Sequence, residues 1–152
     1  MSDKDSPILK PELSEDQTVQ ELGEHRIIVS KAQNVAEILA KLGPLLNGQG
    51  NPPKQRWNLC LDGKGIRRSF YFKGFKKTWS FMQAVAEECK SKNHHPEWWN
   101  AYNHTFIQWT THRPEGLSIK DVDMARWCDE QAKLHEERFD VEPAPFKAFD
   151  FI

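Results

Sequence analysis

Two stretches of the chain alternate apolar and polar residues at the period of a β-strand, and each contains a turn near its middle. In the first, residues 57–61 and 66–72 flank the turn-forming segment Asp62-Gly63-Lys64-Gly65. In the second, residues 98–102 and 105–111 are joined near Asn103-His104. We therefore predict two β-hairpins. The apolar members of the second are Trp99, Ala101, Ile107 and Trp109.

Three other stretches place apolar residues three or four positions apart, the spacing of a helix that buries one face. They cover residues 34–46, residues 75–90 and a segment opened by Ser118. Asn34 is the expected N-cap of the first helix, and Gly43-Pro44 predicts that this helix ends or kinks early. The order of elements predicts an α+β fold, helix-hairpin-helix-hairpin-helix: a four-stranded antiparallel sheet with three helices packed on one face.

The two ends of the chain differ in composition from this central part. Residues 1–24 are polar, with scattered charges and two prolines, and predict a flexible N-terminal arm. Residues 25–138 form the predicted domain, in which residues 25–30 are a further short candidate strand. Residues 139–152 are a proline-broken C-terminal tail, and residues 47–55 form a loop rich in glycine and proline. At 152 residues, the chain is expected to hold one folded domain.

The composition argues against several classes of partner and location. A net charge of -1 gives no reason to expect nucleic acid or an anionic membrane as the main partner. Cys60, Cys89 and Cys128 are widely spaced and lack a CxxC motif, which predicts free thiols in a reducing compartment. No apolar run approaches the roughly 18 residues of a membrane helix, and the acidic N-terminus lacks the pattern of a signal peptide. We expect a cytoplasmic protein, with the nucleus as a second location left open.

Three of the six histidines lie at predicted turns and not on the face of a predicted helix. They are His94 and His95, which follow the second helix, and His112, at the end of the last strand. Histidine exchanges protons near neutral pH, so it suits general acid–base catalysis. Because Pro96 favours an extended His95, the two adjacent imidazoles should point in opposite directions. We predict that the loop carrying them and the loop after His112 converge on one cleft.

Asp121 supports two interpretations. Its carboxylate could orient one of the imidazoles and favour the charged form of that ring. It also stands three residues after Ser118, the spacing of a capping box at a helix start, and the two roles can coexist. The other histidines have ordinary interpretations: His104 in a hairpin turn, and His25 and His135 on the surface.

The spacing of these residues resembles the motif of the pterin-4a-carbinolamine dehydratases. The motif is met by Lys90, His94-His95-Pro96, Tyr102, His112 and Asp121, with every gap in range. The segments HHPEWWNAYN, TTHRPEGLSIKDVDMA and FYFKGFKKTWSFMQAVAEEC also resemble the family. The resemblance covers roughly residues 31–137. Lys90 is allowed by the motif, but many relatives carry an acidic residue at this position.

The resemblance implies a hydro-lyase that needs neither a metal nor another cofactor. The reaction would be loss of water from 4a-hydroxytetrahydrobiopterin to give quinonoid dihydrobiopterin, in the recycling of tetrahydrobiopterin. His94 and His112 would be the acid–base pair, His95 would position the pterin, and Asp121 would support an imidazole. The substrate-binding residues that it implies are His94, His95, Pro96, Thr111, His112, Arg113 and Pro114.

The family also implies a homodimer or homotetramer, and some animal relatives bind a homeodomain transcription factor as a dimerisation cofactor. A non-catalytic dimerisation or transcription-cofactor module on the same fold is therefore the main alternative. The retention of His94, His95, His112 and Asp121 argues against it. A zinc hydrolase is a second alternative, against which stands the lack of an HxH or HExxH spacing.

Overall fold

The computed structural model describes residues 17–51, 53–54 and 56–141. The strands are β1 (Gln17–Leu22), β2 (His25–Ser30), β3 (Asn58–Leu59), β4 (Gly65–Tyr71), β5 (Glu97–Ala101), β6 (His104–His112) and β7 (Glu115–Gly116). The helices are α1 (Val35–Asn47), α2 (Phe75–Lys92) and α3 (Ile119–Leu134). The predicted α+β class is confirmed. None of the helices in these ranges has the length and apolar character needed to cross a membrane.

The main sheet has the strand order β3-β4-β6-β5, and all of its neighbouring strands are antiparallel. Both predicted hairpins, β3–β4 and β5–β6, are present. The prediction of a single four-stranded sheet is wrong, because β7 also pairs with β6 and because β1 and β2 form a separate two-stranded sheet. A strand of two residues such as β7 is too short to show an alternating pattern.

The β1–β2 hairpin corrects the predicted N-terminal arm. We expected residues 1–24 to be flexible, yet β1 pairs with β2 from Gln17↔Ser30 to Leu22↔His25. The hairpin is attached to the domain because β2 buries three consecutive apolar residues, Ile27, Ile28 and Val29. Residues 1–16, and residues 142–152 of the predicted tail, lie outside the described residues.

The core lies against one face of the main sheet and includes residues from all three helices. The register of β5 on β6 sets which residues face it: Trp98 is opposite the buried Ile107, and Trp99 is opposite Phe106. Directly opposed residues share a face of the sheet, so Trp98 packs against the core and Trp99 lies on the open face. We predicted that Trp99 faces the core. This prediction is wrong, because its neighbour Trp98 faces the core instead.

Helix α1 begins as predicted but continues past the predicted break. The side chain of Asn34 accepts a hydrogen bond from the Glu37 amide at 3.1 Å and caps the helix. Pro44 lies inside the helix, at a cost of about 3 kcal/mol. Leu45 and Leu46 beyond it are buried, and each contributes about 1.5–3 kcal/mol. The helix therefore reaches Asn47 because the two leucines outweigh the proline.

A buried arginine connects the main sheet to α3 and the segment after it. Arg68, on β4, is 5% exposed, and its guanidinium contacts Asp129 at 2.6 Å and also pairs with Glu137. Asp129 accepts a second hydrogen bond, from the indole nitrogen of Trp57 at 3.0 Å. Burial raises the pKa of Asp129 to about 6, although the positive charge of Arg68 opposes this shift. The core thus contains an ion-pair network that depends on one arginine.

Candidate active site

The loop after α2 directs His94 into the protein. Asn93 ends the helix in the left-handed conformation, and the His94 amide donates to the Cys89 carbonyl at 3.1 Å. The His94 ring is stacked on Trp109, with ring centroids 5.5 Å apart, and its Nε2 lies 2.6 Å from Oδ1 of Asp121. The side chain is 11% exposed. The Trp109 ring and the Asp121 carboxylate therefore hold this imidazole in one orientation.

Asp121 is a fully buried carboxylate that serves two elements at once. Its Oδ2 accepts from the Ser118 amide and from the Thr111 hydroxyl, each at 2.8 Å, and the Ser118 side chain completes a capping box at the start of α3. Its Oδ1 faces His94. The two interpretations of Asp121 therefore coexist, since each oxygen serves one of them.

His95 and His112 face each other at the surface, with ring centroids 6.4 Å apart and ring planes inclined by 26°. His112 Nε2 lies 3.3 Å from Oε1 of Glu97, and the other oxygen of Glu97 accepts from Gln108 at 3.1 Å. Sequence reasoning missed Glu97. The available signal was its place directly after the His-His-Pro segment, at the start of the strand that pairs with the His112 strand.

The two loops meet, but their side chains form two adjoining groups. The inner group contains His94, Thr111 and Asp121, and the outer group contains His95, Glu97 and His112. The groups are joined by the peptide bonds between His94 and His95 and between Thr111 and His112, because neighbouring extended residues point to opposite sides. The site therefore offers one imidazole bound to a buried carboxylate and two that water can reach.

Several other residues of the predicted site surround these groups. Pro96 is half-buried, while Arg113 and Pro114 are exposed in the turn before β7. Lys90 is exposed on α2 and pairs with Glu87 at 3.2 Å. Tyr102 lies beyond the far end of β5, about 17 Å along the strand from its start, and is 67% exposed. The structure does not bring Tyr102 to the histidines.

A groove on the open face of the sheet adjoins the outer group. It has a volume of about 380 Å³, and Glu97, Gln108, Arg67 and the stacked rings of Trp99 and Phe106 lie along it. Within the described residues, no group of three or more histidine, cysteine, aspartate or glutamate side chains is arranged to hold a metal ion.

His104 does not lie in the hairpin turn, as we predicted. It is the first residue of β6, paired with Tyr71 and Ala101, and is 4% exposed. Its ring is stacked on Tyr71 with centroids 4.2 Å apart. Burial lowers the pKa of His104 to about 4. The other two histidines are an exposed His25 and a half-buried His135 at the C-cap of α3.

We expect His104 to make the fold less stable in acid. Because its folded pKa is depressed, its contribution is complete above its ordinary pKa near 6.5 and is lost as the pH falls towards 4. Between pH 7.5 and pH 5, the free energy of unfolding measured in urea should fall by about 2 kcal/mol less in His104→Gln than in the wild type. Asp129 titrates in both proteins, so its contribution to the pH dependence of stability cancels in the comparison. If the free energies of unfolding of His104→Gln and the wild type fell in parallel between pH 7.5 and pH 5, the assignment would be contradicted.

Comparison with known proteins identifies the family. A family model described as Pterin 4 alpha carbinolamine dehydratase matches residues 33–131. The chain belongs to this family. A curated relative from Novosphingobium aromaticivorans that carries the dehydratase name is 47% identical over 70 residues, which are 46% of this chain and 73% of the relative. The crystal structure of the transcriptional coactivator/pterin dehydratase from Brucella melitensis is 33% identical and has a TM-score of 0.53, covering 65% of this chain and 96% of that one.

The family match confirms the resemblance that the histidine spacing indicated. The protein is a pterin carbinolamine dehydratase, and hence a lyase. The matched region includes His94, His95, His112 and Asp121 but begins after the β1–β2 hairpin. The hairpin is thus an addition to the part of the chain that the family model describes.

Proposed function

We propose that the enzyme removes water from 4a-hydroxytetrahydrobiopterin by histidine acid–base catalysis, which regenerates quinonoid dihydrobiopterin for tetrahydrobiopterin recycling. The observation that carries the proposal is the pairing of His94 with the buried Asp121, next to the exposed rings of His95 and His112. In a carbinolamine, the nitrogen lone pair expels the hydroxyl group. The enzyme therefore needs only to protonate the departing oxygen and to accept a proton from the ring.

The geometry suits a division of roles among the three imidazoles. Asp121 lies at Nε2 of His94 and holds the orientation of this ring, so that the other ring nitrogen faces the leaving hydroxyl and donates a proton to it. His112 is 58% exposed, with its Nε2 3.3 Å from Glu97, and we assign it the role of the base. His95 packs against the pterin. Around them, Pro96, Arg113, Pro114 and the main chain of Thr111 line the binding site, since the Thr111 hydroxyl is used by Asp121.

A dehydration assay on the purified protein tests this mechanism. His112→Ala is expected to lower the dehydration rate at least about tenfold, because a proton acceptor is lost, while thermal stability stays close to that of the wild type. His25→Ala, at an exposed position outside the site, should change neither the rate nor the stability. A collapse of stability in His112→Ala would make His112 a structural residue instead.

The alternative function is a non-catalytic dimerisation or coactivator module, which the coactivator name of the Brucella structure favours. The same assay separates the two: a wild-type chain that does not accelerate dehydration over buffer would favour the binding module.

For assembly, we propose a homodimer or homotetramer. Phe75, Trp79 and Leu134 are 49–73% exposed near one end of α2 and α3, and clustered apolar side chains of this kind mark protein contacts.

A further inference from the structure

A row of side chains crosses the open face of the main sheet, the face opposite the core. The register places Asn58, Arg67, Gln108 and Glu97 opposite one another on β3, β4, β6 and β5. Opposed residues share a face, and neighbouring strands lie about 4.8 Å apart. Arg67 is therefore two strands, or about 10 Å, from Glu97. The row begins at the catalytic loops, because Glu97 contacts His112.

An aromatic wall runs beside this row. Trp99 and Phe106 are directly opposed on β5 and β6, and their rings are stacked with centroids 5.9 Å apart and planes inclined by 15°. Together with the row, they line the groove of about 380 Å³ that adjoins the outer histidines. A flat substituent can lie against such a wall.

The far end of the groove carries the half-buried Arg67, and the carboxylate of Asp62 also lines the groove. Arg67 lines both this groove and a second concavity that contains Arg56 and Arg138. Arg68 is paired with Asp129 and Glu137, and Arg138 is paired with Asp140. In the described part of the chain, Arg67 has no such carboxylate partner. A guanidinium in this position suits a carboxylate or phosphate, which it can bind through two parallel hydrogen bonds.

We propose that the groove binds the substituent at C6 of the pterin and that Arg67 selects a substituent with an anionic end. The proposal rests on the proposed function, which places the pterin ring at His95 and His112. A three-carbon dihydroxypropyl chain reaches only Glu97 and Gln108. An arm of about 10 Å, the span of two strand spacings, reaches Arg67. The groove therefore widens the substrate range of the proposed function from 4a-hydroxytetrahydrobiopterin to pterins with an aromatic, carboxylate-bearing arm.

Binding of two stable dihydropterins to the full chain tests this inference. 7,8-Dihydrobiopterin has a short neutral arm, and 7,8-dihydrofolate has a long aromatic arm with carboxylates. By calorimetry, the wild type should bind dihydrofolate about fivefold more tightly, and added salt should reduce the preference. Arg67→Gln should lose the preference while keeping its affinity for dihydrobiopterin, and Arg67→Lys should keep part of it. Arg126→Gln, at an exposed position on α3, is the matched control and should keep all of it.

Equal affinities in the wild type, or a preference that survives in Arg67→Gln, would overturn the inference and leave the proposed function standing. Failure of the proposed function gives a different result: neither dihydropterin would bind, and His112→Ala would dehydrate at the wild-type rate. That result would overturn both proposals.

Discussion

The Asp121→Asn enzyme is expected to dehydrate its substrate about 100-fold more slowly than the wild type, and its free energy of unfolding should fall by about 2 kcal/mol. The rate falls because a neutral amide replaces the carboxylate that orients the His94 ring across the 2.6 Å contact. The stability falls because one acceptor oxygen becomes an NH₂ donor in a buried site where both oxygens accept. Initial rates and urea unfolding measure the two effects separately.

Ser118→Ala is the matched control for this variant. It removes the hydroxyl of the capping box but leaves the Asp121 carboxylate beside His94. It should cost about 1 kcal/mol of stability and change the rate less than about twofold. If Ser118→Ala slowed the reaction as much as Asp121→Asn does, Asp121 would act only by starting α3. If Asp121→Asn kept the wild-type rate, the His94–Asp121 pair would have no part in the mechanism.

Replacing Arg68 with leucine is expected to lower the free energy of unfolding by about 3–5 kcal/mol. The side chains of Asp129 and Glu137 are 13% and 3% exposed, so both carboxylates would lose their buried guanidinium without gaining much water. The midpoint of urea unfolding measures the loss. Arg67→Leu is the control, since it changes the neighbouring residue on the open face, and it should shift stability by about 0.5 kcal/mol or less. A loss below about 1 kcal/mol in Arg68→Leu would show that the two carboxylates are hydrated.

The elements that the sequence predicted correctly are those whose pattern extends over several residues. The β3–β4 and β5–β6 hairpins and the three helices follow from periods of two and of three to four. The pattern failed where a tertiary contact decides the outcome. Pro44 stays inside α1 because Leu45 and Leu46 are buried, and the choice between Trp98 and Trp99 depends on the register of β5 on β6.

For the candidate site, local spacing predicted that His94, His95, His112 and Asp121 lie near one another, and the structure places them in two adjoining groups. Spacing could not show that His94 is bound inside while His95 and His112 face water. Glu97 was missed for a related reason: its contact with His112 arises from the pairing of two strands, which no local pattern records.

The β1–β2 hairpin has a consequence for how much of the chain an active fragment must contain. The Ser30 amide donates to the Leu117 carbonyl at 2.9 Å, and the Leu117 amide donates to the Ile28 carbonyl at 2.8 Å, so β2 supports the segment between His112 and Asp121. Gly116 allows this close approach, because a Cβ there would lie 2.7 Å from the Ser30 nitrogen. A fragment trimmed to residues 33–131 would keep His94, His95 and His112 but lose both hydrogen bonds to β2. We therefore expect the trimmed fragment to hold the segment between His112 and Asp121 less firmly than the full chain does.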